Sequence, residues 1–437
     1  MSILLRPEEE SELLSALTRA AYNSPFWRER FFASGIKPSD FKSGFDFASL
    51  PFVTKADLLR DQAQSPPFGR LLSVPEDKIV RVHKTSGTSA TPFFIALTAQ
   101  DIADTVLSAQ RAFKAAGMGA GQRVVHCLNF SMWSGGVSDY LGIEATGATA
   151  IPFGVGNTAQ LLHTIRTLKA NAISATPSYM YVLRDRCRQE LGIDPRELGL
   201  RYGYFGGEGL LQVPGVREDI ERSFGLVAVD ANYGMSEVLS IIGGEDASRD
   251  GLINHAHGIL YTELVDGDGR PVPIEAGAVG ELVFSSLRRQ GQPLFRYRTN
   301  DLAQIVWVEE ADDGLLRMRF RIIGRTDEML VVRGVNFFPQ SLLSVIPPFE
   351  EHVSRFYRVV RPTRPDQEAV KVLMETNLDH DDPRLAQIER AFCHNVSSTF
   401  QIRITIGWLK VGTIPREANK ARYLVADEAD ITGNPNA

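Results

Sequence analysis

The sequence predicts an α/β fold with an α+β C-terminal part, and three textures of its 437 residues predict it. Between about residues 75 and 245, strand-like and helical segments alternate, the pattern of parallel sheets covered by helices. Between about 250 and 324, strand-like segments follow one another across short turns, as in a small antiparallel, β-barrel-like subdomain. Beyond 325, strand and helix mix in one last unit. The expected division is a large N-terminal domain of helix-covered sheets, residues 1–324, and a small C-terminal domain, residues 325–437. They meet at GRTD, Gly324–Asp327.

The elements follow in order. PEEESELLSALTRAAYNSPFWRERFF has apolar residues at helical spacing and an acidic first turn, so it reads as a surface helix pair. In SLPFVTKADLLRDQ, Thr54 is placed to cap a helix that begins at Lys55. TAQDIADTVLSAQRAFKAAGM is helical and RVVHCLNF strand-like; GATAIPFG, AISATPS, RYGYFGG and GLVAVDANYG continue the strand series. AQLLHTIRTLKA and PGVREDIERSF are the helices between them. ILYTELVDGDGRPV predicts two strands around an Asp-Gly turn. GAVGELVFSSL, LFRYRTNDLAQIVWV and LLRMRFRIIGR are further strands, and IRITIGWLKVG is the last.

The totals narrow the function classes. A net charge of −6 argues against a general nucleic-acid binder, which would carry a basic field. No stretch of about 18 apolar residues suggests a membrane span. MSILLRPEEESELL turns acidic too early for a signal peptide, and Cys127, Cys187 and Cys393 lie too far apart for a disulfide framework or a metal set. A cytoplasmic enzyme with neither nucleic-acid nor membrane partners is the expectation.

Five stretches carry chemistry. KTSGTSATP, Lys84 to Pro92, could wrap N–H groups and hydroxyls around phosphate oxygens, although GxxxxGK[ST] is absent. NYGMSE offers a Tyr to stack on a purine and a Glu to hold magnesium. YRTNDL sets Asp301 in a loop between strands, where a carboxylate suits a ribose diol. GRTDEMLVVRG puts an Arg and an Asp at the domain boundary, and IPREANKAR places Lys420 in a loop behind Pro415. Each alone also reads as ordinary structure: a polar turn, a helix-opening glycine, a turn aspartate, a surface ion pair, a solvated basic tail.

Together, in this order, they resemble the signatures of the adenylate-forming enzymes, which include acyl-CoA synthetases, luciferases and peptide-synthetase adenylation domains. SPFWRERF, LPFVTKADLLRD, RVHKTSGTSATP, GNTAQLL, ATPSYM, NYGMSE, FRYRTNDL, IIGRTDEMLVVRGVNFFPQ and PREANKAR look most like the phenylacetate–CoA ligase branch, over nearly the whole chain. The resemblance implies ATP-dependent activation of a carboxylic acid as acyl-AMP, then transfer to CoA. It also implies a mobile C-terminal domain.

Residue by residue, the resemblance assigns Thr85, Ser86, Gly87, Thr88 and Ser89 to the ATP phosphates. Gly206, Gly207 and Glu208 would lie along the adenine, with Tyr233 stacked on it. Asn232, Gly234 and Ile322 complete the nucleotide set. Ser236 would touch the α-phosphate, Glu237 would hold magnesium, Asp301 the ribose, and Arg325 the ribose or phosphate. Asp327 would be the hinge and Lys420 the catalytic lysine. The acid pocket would comprise Phe130, Met132, Trp133, Gly135, Gly206 and Met235. Trp133 stands where the branch commonly has Phe, so a small aromatic acid is expected.

The cofactors implied are ATP, magnesium and CoA as co-substrate. A carrier protein, amine or alcohol is the alternative acceptor, and a nucleotide-binding protein without chemistry is a further alternative. A homodimer is expected by analogy. Three departures stand out. Ala90 and Thr91 replace the usual Gly and Lys of the phosphate loop, so the loop lacks its own cation and another basic residue such as Lys84 is a candidate to serve. Asn419 replaces the Gly before the lysine. GGEDASRDGLINHAHG lacks the cysteines of a structural zinc site found in some relatives, so no zinc is expected, although His255 and His257 would alternate on one strand face.

Overall fold

A computed structural model describes residues 6–85, 92–310, 316–332, 335–362, 369–415 and 422–432. Two helices open the chain, α1 (Pro7–Asn23) and α2 (Pro25–Ala33), with Ser24 between them accepting the Trp27 N–H as the cap of α2. Helix α3 (Lys55–Gln64) starts where Thr54 places it. The Thr54 hydroxyl accepts the Asp57 N–H, and the Asp57 carboxylate accepts the Thr54 N–H at 3.0 Å. A hairpin of β1 (Arg81–Lys84) and β2 (Phe94–Leu97) holds the phosphate-loop candidate between its arms.

The α/β part then unfolds as read: α4 (Ala99–Ala115), β3 (Arg123–His126), α5 (Ser134–Ala145), β4 (Thr149–Pro152), α6 (Thr158–Thr167), β5 (Ala172–Ala175), α7 (Pro177–Arg186), β6 (Tyr202–Gly206), α8 (Val216–Phe224) and β7 (Val227–Met235). The strand series continues with β8 (Leu239–Gly244), β9 (Leu252–Asn254), β10 (Leu260–Val265), β11 (Pro271–Val272), β12 (Val279–Ser286), β13 (Tyr297–Glu310) and β14 (Leu316–Arg325). Among the described residues these strands form one sheet in the order β11-β10-β12-β13-β14-β9-β8-β7-β6-β5-β3-β4.

Strand β7 is the seam of that sheet. Its first half pairs parallel with β6, and Tyr233–Met235 pairs antiparallel with β8. The antiparallel portion is therefore continuous with the parallel one. Helices α4 and α5 cover one face of the parallel strands through Ala109, Phe113 and Ile143. Helices α6, α7 and α8 cover the other through Leu162, Leu183 and Ile220. The α1–α2 pair packs on the antiparallel portion, with Trp27 fully buried beside Phe31 and Phe295.

Beyond Arg325 come β15 (Leu330–Val332), β16 (Val335–Phe337), β17 (Val353–Val360), β18 (Val370–Thr376), α9 (Pro383–Phe400), β19 (Ile404–Lys410) and β20 (Leu424–Val425). The last four strands form a sheet in the order β19-β18-β17-β20. Among the described residues no helix is long and apolar enough to cross a membrane.

Two readings of local structure are corrected. Asp301 lies within β13, not in a loop. Asn300 takes a left-handed conformation (φ 63°), which Asn tolerates, and pairing resumes at once with Asp301 opposite Arg325. His255 and His257 do not share a strand face, because β9 ends at Asn254. The His255 Nε2 instead faces the Gly244 carbonyl at 3.2 Å.

Candidate functional site

The carboxyl ends of the parallel strands converge on one region, the usual ligand position in such sheets. The connection after β3, Thr176 after β5, Gly206–Glu208 at the end of β6, and Asn232–Met235 on β7 all meet there. Strands β13 and β14 close it from the antiparallel side, bringing Asp301, Ile322 and Arg325. NYGMSE does not open a helix: Asn232–Met235 finishes β7, and Ser236 and Glu237 make the turn into β8.

Three residues form a hydrogen-bonded chain across this seam. The Tyr233 hydroxyl donates to Asp301 Oδ2 at 2.8 Å, and Arg325 Nη1 donates to Asp301 Oδ1 at 2.7 Å. Arg325 also grips Asp327 through Nε and Nη2, both at 2.9 Å. Burial and then the Asp301 charge push the Tyr233 phenol well above its ordinary range, so it stays a donor. Burial disfavours the Arg325 charge, but Asp301 and Asp327 outweigh it and hold the guanidinium more basic than usual. A carboxylate is the acceptor type that a ribose diol suits. The Ile322 N–H donates to Gln212 at 2.9 Å, which ties β14 to the end of β6.

Glu237 is buried, and Lys55 Nζ lies 3.1 Å from its Oε1. Arg289 Nη1 holds the Glu237 carbonyl at 3.0 Å. A carboxylate oxygen is the donor type that magnesium prefers, so Glu237 fits the ion by chemistry, and Lys55 balances its charge without one. Ser236 meets Ser134 of α5 at 2.6 Å between hydroxyl oxygens, and Asn232 meets Asp139 of the same helix. Glu208 accepts the N–H and hydroxyl of Ser178 at 3.1 and 2.8 Å.

Of the residues expected to line the acid pocket, Gly135 lies against Trp133, as does Gly207. A Cβ on Gly135 would lie 3.0 Å from its indole, and one on Gly207, which has a left-handed φ of 79°, would lie 3.4 Å away. The indole thus fills the space between the start of α5 and the end of β6. Gly136 permits this start, since a Cβ there would sit 2.1 Å from the Asn129 carbonyl oxygen. Phe130 packs edge-on against His126 and Tyr140. Met132 is left-handed and exposed, its carbonyl accepting the Lys84 N–H at 2.9 Å. Met235 and Gly234 lie on β7, where Gly234 allows close approach to the Ser240 carbonyl.

The phosphate-loop candidate is anchored at both ends. The Thr85 N–H donates to the Phe93 carbonyl at 3.0 Å, while the Gln62 amide clamps the Pro92 carbonyl and the Phe94 N–H at 2.8 and 2.7 Å. Ser86, Gly87, Thr88 and Ser89 lie outside the described residues, as do Lys420, Asn419, Ala90 and Thr91. Lys84 ends β1 with an exposed side chain, whereas Lys55 reaches the Glu237 carboxylate.

Sequence reasoning missed Lys55, Asp139, Ser134 and Arg289. Lys55 stood in the quoted LPFVTKADLLRD and could have been noticed as the basic residue that opens α3. Asp139 gave no signal, because an acid in a helix ordinarily reads as solvated.

A family profile described as AMP-binding enzyme C-terminal domain matches residues 334–428. A phenylacetate-coenzyme A ligase of Escherichia coli (strain K12) is 34% identical over 436 residues, covering 98% of this chain and 96% of that one. One from Aromatoleum evansii is 36% identical over 339 residues, covering 77% of this chain and 74% of that one. A 2-hydroxyisobutyryl-CoA ligase crystallised in the postadenylation state with 2-HIB-AMP superposes with a TM-score of 0.85. It is 28% identical and covers 97% of this chain and 90% of that one. The same ligase in the thioesterification state, with 2-HIB-AMP and CoA, superposes with a TM-score of 0.68. There the identity is 29%, over 96% of this chain and 89% of that one.

Proposed function

Because this chain belongs to the phenylacetate–CoA ligase branch of the adenylate-forming enzymes, we propose that its seam site activates a small aromatic carboxylic acid. The chain is an AMP-forming acid–CoA ligase that uses ATP and CoA. The acid's carboxylate oxygen attacks the α-phosphorus of ATP, and the bond to pyrophosphate breaks. The CoA thiol then loses its proton, its sulfur bonds to the acyl carbon, and AMP leaves.

The observation that carries the site is the Tyr233–Asp301–Arg325 chain, with Glu237 and Lys55 beside it. Asp301 would accept the ribose hydroxyls, and Tyr233, held by Asp301, would present its ring to the adenine. The first step brings two anions together, so fixed cations in a water-poor site lower its barrier. Lys55 supplies one such cation if it turns from Glu237 to the phosphates, which offsets the absence of Lys at Thr91. Glu237 would then hold magnesium, which supplies charge neutralisation on the phosphate oxygens. Lys420, by similarity, bridges the α-phosphate and the substrate carboxylate.

The acid would enter beside Phe130 and Trp133, with Met132 at the rim. An indole at Trp133 in place of a smaller ring would shorten the acid cavity, which favours a benzoate-sized ring over a long acyl chain. The better superposition on the postadenylation state, 0.85 against 0.68, supports a C-terminal unit that faces the site for adenylation and rotates about Asp327 for thioester formation. Tyr423 of that unit is close enough to Glu208 for the carboxylate, after burial and Tyr357, to raise its phenol pKa.

The test is pyrophosphate release across benzoate, phenylacetate and 2-hydroxyisobutyrate, with AMP and thioester measured with and without CoA. Thioester formation fastest with an aryl acid is expected. Preference for 2-hydroxyisobutyrate would remove the aromatic assignment, and AMP release that ignores CoA would transfer the acyl group to another acceptor.

A further inference from the structure

Strand β13 bulges at Asp301. Against β12 its register runs from Arg298 opposite Val283 to Leu302 opposite Glu281, so Thr299, Asn300 and Asp301 lie against the single residue Leu282. A bulge re-aims the side chains it carries, and here one of them is the Asp301 carboxylate. The bulge turns on Asn300, whose φ of 63° is left-handed, a conformation costly for any residue with a Cβ. Three groups hold the backbone there. The buried Glu281 carboxylate accepts the Asn300 N–H through Oε1 at 2.9 Å. The Thr299 hydroxyl accepts the Asp301 N–H at 2.9 Å and donates to the Leu282 carbonyl at 2.7 Å. The Thr326 N–H donates to the Asn300 carbonyl at 2.8 Å. The other Glu281 oxygen, Oε2, accepts Arg298 Nε at 3.0 Å.

We infer that Glu281 is a positioning residue for the nucleotide's ribose: it holds Asn300 left-handed, and so presents Asp301 where its carboxylate can accept the ribose hydroxyls. The inference rests on the ATP-site reading, in which Asp301 takes the ribose. Tyr233 and Arg325 hold the Asp301 carboxylate itself, at 2.8 and 2.7 Å, whereas Glu281 acts on the backbone one residue before it. Both partners of Glu281 come from β13, on either side of Thr299, so the carboxylate clamps the strand where it leaves the ladder. A buried carboxylate is costly unless its oxygens are engaged, and those of Glu281 both are. A hydrogen bond to a charged acceptor is stronger than one to a neutral group, which suits it to offset a left-handed Asn.

The experiment compares ATP with 2′,3′-dideoxy-ATP in the full chain and in Glu281→Gln, Asn300→Ala and Asp301→Asn. Gln keeps the shape of Glu281 but accepts at only one atom and without charge. Ala leaves the Glu281–Arg298 pair in place but resists the left-handed backbone. The readouts are kcat/KM for pyrophosphate release and direct binding of each nucleotide without acid. The wild type should favour ATP in both. Glu281→Gln and Asn300→Ala should each lower that preference about tenfold, by raising the KM for ATP while that for the dideoxy nucleotide holds. Adding Glu281→Gln to Asp301→Asn should lower it no further. If Glu281→Gln weakens both nucleotides equally, or lowers the thermal midpoint with the ratio unchanged, the carboxylate has only a structural role and the inference is wrong. If the ratio collapses in Asp301→Asn but survives in Glu281→Gln and Asn300→Ala, the inference falls and the ribose reading stands. A wild type that binds the two nucleotides equally overturns the ribose reading, and the inference with it.

Discussion

Replacing Arg355 with Met should slow adenylation while sparing thioester formation. Arg355 lies on β17, in the unit proposed to rotate, and its side chain is 4% exposed. Its Nη2 stands 3.0 Å from Asp219 Oδ2 on α8, and its Nη1 donates to the Tyr181 hydroxyl on α7 at 3.2 Å. The guanidinium also lies 4.7 Å from the centre of the Tyr181 ring. Its ion pair with Glu350 stays within the unit and survives rotation. On the proposed rotation, the contacts to Asp219 and Tyr181 would belong to the closed arrangement alone. Breaking a buried pair costs about 3–5 kcal/mol. Asp219 keeps Arg184 and Arg222 at 3.5 and 2.6 Å, so the lower end applies, about 3 kcal/mol or roughly a hundredfold in the balance of the two arrangements. Met retains most of the apolar stem. The assay is pyrophosphate exchange set against thioester formation from supplied acyl-adenylate. Exchange should fall by up to about a hundredfold while thioester formation holds or rises. Equal losses in both steps would refute the reasoning, since they would mean that Arg355 supports the fold and not one arrangement.

Lys55→Ala should raise the KM for ATP about tenfold, the value of a charge-assisted contact, and Lys55→Arg should recover most of it. Pyrophosphate release at varied ATP measures both, and an unchanged KM would leave Lys55 as a partner of Glu237 only. Trp133→Phe should lengthen the acid cavity and move the phenylacetate-to-benzoate ratio of kcat/KM upward about tenfold, on the scale of one or two methylenes; competition between the two acids reads it directly. His126 is buried against Ser174 and the Gly136 carbonyl, and burial lowers its pKa from 6.5 to about 4. The unfolded imidazole therefore takes up a proton before the folded one does. Its stabilising contribution is intact above pH 6.5 and falls by about 2 kcal/mol between pH 6.5 and 5. Urea midpoints across that range should fall less steeply in His126→Gln.

What could be read from the sequence was what is local. Thr54 and Asp57 cap α3 from three residues apart, and the Asp-Gly turn in VDGDGR fixes the β10–β11 hairpin by its own backbone needs. The alternation of apolar strands and helices likewise needs only near neighbours to declare itself. The site is built the other way. Tyr233 and Asp301 are 68 positions apart, Asn232 and Asp139 93, and Lys55 on α3 meets Glu237 beyond β7. Resemblance supplied Tyr233, Asp301 and Glu237 because whole motifs carry them. It could not supply Asp139, since SGGVSDYLGIEA offers no pattern separating a solvated helix acid from one turned inward. The reading of YRTNDL that set Asp301 in a loop also failed, because a left-handed Asn300 bends β13 without ending it, and only the pairing with Arg325 reveals that the strand goes on. A buried carboxylate is costly unless something accepts its company. Asp139 has the Asn232 amide as that company, donating to both of its oxygens at 2.8 Å, and that contact across 93 positions is visible only once the chain is folded.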